Sequence, residues 1–182
     1  MVRSVTAAVV AGLLLAACGG AMSLTEYAEE LEASGANASS RFDRVNAALV
    51  GPDATLAQAQ SAVKEAVVIG NDLHADLEAL DPPDELADLH AVLLELHRDV
   101  VAAQQEWADS ADAAQSVAEL LQSPQAKALF LSNEEALGAC GRIQEVLDAT
   151  AARGVFADVS WLPSEMSETI EVALGCTPTS NG

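Results

Sequence analysis

The sequence predicts an all-α domain, an up-down-up-down four-helix bundle with a short C-terminal helix. Three observations lead there. Apolar residues recur at alternating spacings of three and four along three segments and at looser helical spacing along a fourth, cap and proline signals separate those segments by short loops, and no stretch alternates apolar and polar residues with period two.

The first helix starts at Ser23, where Ser23 and Glu26 form a capping box and Met22 and Tyr27 occupy the hydrophobic-staple positions around it. Its stripe is Leu24, Ala28, Leu31, Gly35, Ala38, Phe42, Val45 and Leu49. Ser34, Gly35, Asn37, Ser39 and Ser40 lower helix propensity in the middle, which predicts a kink or fraying there. Gly51, Pro52 and Asp53 end this helix and cap the second, whose stripe is Leu56, Ala59, Val63, Ala66, Gly70, Leu73, Leu77 and Leu80.

Asp81, Pro82, Pro83, Asp84 and Glu85 mark a hairpin, with Asp81 as cap and Pro82 in the first position of the third helix. That helix carries Leu86, Leu89, Leu93, Leu96, Val100, Ala103 and Trp107, and because an unbroken run to Leu121 would be unusually long, a bend near Asp109 and Ser110 or an overhanging end is expected. Ser123 and Pro124 start a fourth helix with Leu129, Phe130, Leu137, Cys140, Ile143 and Leu147, which Gly154 ends. Residues 155–163 form a loop whose Phe156, Trp161 and Leu162 are too apolar to stay in water, and residues 164–174 form the final short helix. Residues 177–182 read as a disordered tail.

The amino terminus has a different character. Arg3 supplies a positive start, Ala7 to Leu15 is an apolar run too short to span a bilayer, and small residues follow. Leu15, Ala16, Ala17 and Cys18 resemble the lipobox of bacterial lipoproteins. The resemblance implies that residues 1–17 are a signal peptide, that Cys18 carries diacylglyceryl and acyl chains such as palmitate, and that residues 18–22 form a tether to a bundle over 23–176. The expected location is the extracytoplasmic face of the cell membrane, since two or three chains anchor stably where one would not. The alternative is an ordinary secretory signal, which Leu15 fits poorly because the position three before the cut requires a small residue. In composition, alanine-rich and lysine-poor, the chain also resembles actinobacterial-type lipoproteins.

With Cys18 lipidated, two cysteines remain. Cys140 and Cys176 would pair in an oxidising compartment and pin the last helix to the bundle; the alternative is two buried reduced thiols.

Charge excludes some functions. The chain carries 28 acidic against 8 basic residues, a formal charge of −20, and Arg3 lies in the leader. No cluster of Lys and Arg is present to neutralise phosphates, which argues against nucleic acid as a partner. The same charge opposes lying flat on anionic lipid, so membrane association must be covalent or apolar.

The histidines are the candidate chemistry. Reflecting the hairpin about Pro82 puts His74 level with His90 at the edge of the core seam, with His97 two turns further along, which would suit a metal or proton site. Di-iron bundles place Glu three residues before each His; here Asn71, Ala87 and Leu94 stand there, so that motif is absent. Boundary histidines are the plainer reading, and no cofactor is expected. No nucleophile elbow, zinc-protease helix or phosphate loop occurs, and neighbouring acids such as Glu134 and Glu135 lack the burial that would tune a pKa. Trp107, Phe156 and Trp161 are candidates for a partner or ligand contact, against the plainer reading as core plugs.

The sequence therefore leads to a non-enzymatic interaction or accessory module at the envelope, held to the membrane by its lipid and binding an unidentified envelope protein or ligand. The competing reading is an envelope metal- or small-ligand-binding protein using the His74 and His90 edge or the Phe156 and Trp161 loop.

Overall fold

The computed structural model describes residues 21–129, together with Gly141, Glu145, Asp148, Ala149 and Gly154. The segment read as the leader, Cys18, Cys140, Phe156, Trp161, Cys176, most of the segment expected to form a helix from Pro124, and the segments expected to form the last helix and the tail lie outside the described residues. The described residues are all-helical: α1 (Leu24–Val50), α2 (Leu56–Glu78), α3 (Ala87–Ser110) and α4 (Val117–Leu121), with 3-10 turns at Asp84–Leu86 and Ala111–Ala113. Residues 124–129 are helical as well. Among the described residues, no helix is long and apolar enough to cross a membrane.

The capping box forms as its spacing implies. The Ser23 hydroxyl accepts from the Glu26 backbone N–H, and the Glu26 carboxylate accepts from the Ser23 N–H at 2.9 Å. The Ser23 hydroxyl also donates to that carboxylate at 2.8 Å, and the two bonds the carboxylate accepts hold the Glu26 pKa below its usual value, the backbone N–H contributing more than the hydroxyl. Tyr27 fills the staple position and is fully buried, with Met22 packed at the same edge of the core.

The weak middle of α1 does not fray or break, and the helix runs unbroken for 27 residues. Gly35 and Ala38 face inward and are buried, so packing compensates for poor local propensity.

The cap of α2 is Thr55 rather than Asp53. Thr55 and Gln58 make a second capping box, and residues 51–54 form the turn before it. On α2 the buried residues, from Ala59 through Ile69 to Leu77, spread over both flanks of the stripe, as expected of a helix with a neighbour on each side. It packs against α1 and α3. Arg41 of α1 reaches Asp72 at 2.7 Å and Glu65 at 3.2 Å, and Lys64 reaches Asp112 at 2.8 Å. These exposed pairs add little stability individually. The core supplies more: burying Leu31, Ile69, Leu77, Leu86 and Leu93 is worth about 1.5–3 kcal/mol each.

The hairpin differs most from expectation. Residues 81–83 are not helical, Leu86 N–H bonds to the Pro83 carbonyl at 2.8 Å in the 3-10 turn, and α3 begins only at Ala87. Pro82 is therefore not a first helical residue. Asp81 uses its backbone carbonyl to accept from the Met22 N–H at 2.8 Å, joining the start of α1 to the α2–α3 connection.

The expected bend near Ser110 is a full break, after which α4 folds back. Trp107 is 6% exposed and its indole N–H donates to the Leu120 carbonyl at 3.1 Å, so the ring fastens α4 to α3. Ser123 caps the following helical residues, its hydroxyl accepting from the Ala126 N–H at 3.1 Å.

Candidate functional site

Among the described residues, two imidazoles are buried in the seams between helices, alongside the Tyr27 phenol. His90 and His97 are 5% and 2% exposed and stand one heptad apart on the inward face of α3. Each meets a different neighbour.

His90 does not meet His74. Its Nδ1 lies 2.9 Å from the Tyr27 hydroxyl, with the rings edge to face at 75°. Burial raises the Tyr27 pKa above its ordinary value, so the phenol keeps its proton and donates it to Nδ1. Burial lowers the His90 pKa, partly opposed by the Leu77 carbonyl, so the ring is a neutral acceptor toward Tyr27. The pair links α1 to α3.

His74 instead meets His97. Their Nδ1 atoms are 3.4 Å apart, the centroids 5.5 Å apart and the planes 16° from parallel. The centroid separation exceeds the nitrogen separation by nearly two ring radii, so both Nδ1 atoms lie close to the line of centres. The rings meet edge to edge. On its outer side, His74 Nε2 is 3.6 Å from Glu78 Oε1, one turn along α2. Burial first, and the His74 charge second, lower the His97 pKa to about 4.

The reflection about Pro82 fails because the extended Pro82–Pro83 stretch and the 3-10 turn delay α3 and move its register outward. The midpoint between His74 and His97 falls between Glu85 and Leu86 instead. Tyr27 was legible as a staple residue but not as a histidine partner, because nothing local links positions 27 and 90. Glu78 carried a readable signal, the i,i+4 spacing from His74.

Two facing nitrogens at 3.4 Å suit a proton better than a metal ion. A linear bridge at about 2.0–2.1 Å per bond would need about 4 Å between them, and a tetrahedral one would require both rings to swing off their common line. Among the described residues no group of three or more His, Cys, Asp or Glu is placed to hold a metal ion. What the arrangement can do is share one proton along a short chain: carboxylate, partly exposed imidazole, buried imidazole.

Comparison of the chain with protein-family models, curated proteins and solved structures returns no match.

Proposed function

We propose that this chain is a lipid-anchored, extracytoplasmic helical bundle serving as a non-enzymatic interaction or accessory module at the cell envelope, bound to a protein or ligand of that envelope. The observation that carries the reading is the 2.8 Å bond from the Met22 N–H to the Asp81 carbonyl. It fixes Met22, the last residue of the tether, against the α2–α3 connection. A lipid on Cys18 is then separated from a fixed point of the fold by residues 19–21, a span of at most about 14 Å from residue 18 to residue 22 at full extension. Such a leash keeps one end of the domain at the lipid surface and presents the rest outward.

In this reading the segment beginning at Pro124 completes an up-down-up-down bundle, and a Cys140–Cys176 bridge pins the last helix. The apolar run at Ala7 to Leu15, closed by the Leu15–Cys18 motif, supports export and lipidation.

Intact-mass analysis of the protein purified from its own membranes tests the anchor. The expected product starts at Cys18 with a diacylglyceryl adduct, and Cys18→Ser moves the protein from the detergent phase to the aqueous phase. An unmodified thiol or an uncut leader overturns the proposal. Crosslinking on intact cells, followed by identification of the copurified proteins, then names the partner.

A further inference from the structure

We infer that the edge-to-edge His74–His97 pair is a one-proton latch on the α2–α3 seam: it stays closed while the two rings share at most one proton beyond their neutral forms and opens when both become imidazolium. The inference rests on the pair's geometry alone and not on the anchor.

With the Nδ1 atoms 3.4 Å apart on nearly the line of centres, only one hydrogen fits between them. When His74 takes a proton, its Nδ1–H points at His97 and its Nε2–H points at Glu78, 3.6 Å away, so the first charge is accommodated. A second proton places two donors head to head, with His97 almost wholly buried. The rings must then part, and with them the two helices.

Among the described residues, the carboxylates with assigned partners or positions are not placed to absorb that second proton. Glu78 is the carboxylate within ion-pair distance of either ring among the described residues. On α2, Asp72 and Asp76 lie about 200° around the helix from His74, where they line the groove shared with Glu30 and Arg41 of α1. On α3, Arg98 pairs with Asp99 at 3.7 Å in solvent, and Glu95 is exposed. Asp84 and Glu85 of the first 3-10 turn and Asp112 of the second stand at the two ends of α3.

The latch is distinct from ordinary acid unfolding in place and in dependence on His97. Hydrogen–deuterium exchange of the full chain, corrected for intrinsic rates, reads seam opening at the α3 amides around His97. With the His97 pKa lowered to about 4, opening should rise about 100-fold between pH 7 and pH 4. His97→Leu should remove that rise while leaving the acid response of amides beside Tyr27 and His90.

Histidine Cε1–H titration by NMR supplies a second readout should His97→Leu fail to fold. There His74→Gln should move the His97 midpoint upward, because the neighbouring charge is gone. The same rise in exchange in His97→Leu as in wild type overturns the latch, as does a His97 midpoint that His74→Gln leaves unmoved. Saturable binding in a micromolar zinc chloride titration, abolished by His97→Leu, also overturns it, because the gap would then hold a cation.

Discussion

Replacing Tyr27 with Phe removes one oxygen from the centre of the core and leaves every apolar contact of the ring in place. Tyr27 is 0% exposed and its hydroxyl lies 2.9 Å from His90 Nδ1, in a ring 5% exposed. The substitution therefore strands a buried acceptor that water cannot reach, at a cost of about 1–3 kcal/mol. His90→Leu strands the phenol hydroxyl instead, at a comparable cost less whatever the added apolar burial recovers. Making both changes removes donor and acceptor together, so the double variant should be more stable than the sum of the singles implies, by about 1 kcal/mol or more. Equilibrium urea unfolding of the four proteins, followed by far-ultraviolet circular dichroism at pH 7, measures the coupling. Additivity to within about 0.3 kcal/mol would show that the hydroxyl and the imidazole do not depend on one another, and the α1–α3 link would have to be abandoned.

Stability should fall on acidification with a defined sign. His97 is neutral when folded, its pKa lowered from an ordinary 6.5 to about 4, so its contribution is intact above pH 6.5, declines between 6.5 and about 4, and is then constant. The loss is about 3 kcal/mol, measurable as urea midpoints across that range, and His97→Leu should flatten the curve. At Gly70 an added Cβ would lie 2.6 Å from Gln104 Oε1 and 3.0 Å from Val101 Cγ2, so Gly70→Leu should overpack the seam by about 1–3 kcal/mol, seen as a lower melting temperature. Trp107→Phe should cost about 1 kcal/mol by leaving the Leu120 carbonyl without its donor, and Trp107→Ala about 3–5 kcal/mol. If Cys140 and Cys176 are bridged as proposed, reduction should lower stability by about 3–4 kcal/mol and Ellman titration of the unreduced, unfolded protein should find neither thiol.

Most of the helix content was legible because it depends on local chemistry. Ser23 with Glu26, the three-four spacing from Leu86 to Trp107, and Ser123 before Pro124 each specify a backbone state within a few residues, and each is realised. Thr55 with Gln58 was equally readable but stood behind the louder Gly51–Pro52–Asp53 signal, a turn that the true cap follows. The unbroken middle of α1 was not readable, since Gly35 and Ala38 are held helical by burial against other elements.

The site was only half legible. His74, His90 and His97 stand out by type, yet their pairing depends on where α3 starts. Proline and aspartate signals place that start only to within a turn, and an offset of one turn rotates and shifts every contact across the hairpin.

The spacing on α3 has a further consequence for how the chain finds one native arrangement. Leu86, Leu93 and Val100 repeat every seven residues, as do His90, His97 and Gln104, so sliding α3 by a heptad along α2 would present much the same surface. Apolar packing alone would leave those two alignments nearly degenerate. Tyr27 separates them: after such a slide Pro83 would stand opposite its hydroxyl, with no side-chain acceptor to offer, and His97 would crowd the gap at Gly70 that Gln104 now occupies. Against a slide in that direction, a single phenol oxygen works as an index mark, penalising the misaligned hairpin by one stranded hydroxyl and favouring the alignment in which all three histidines have partners.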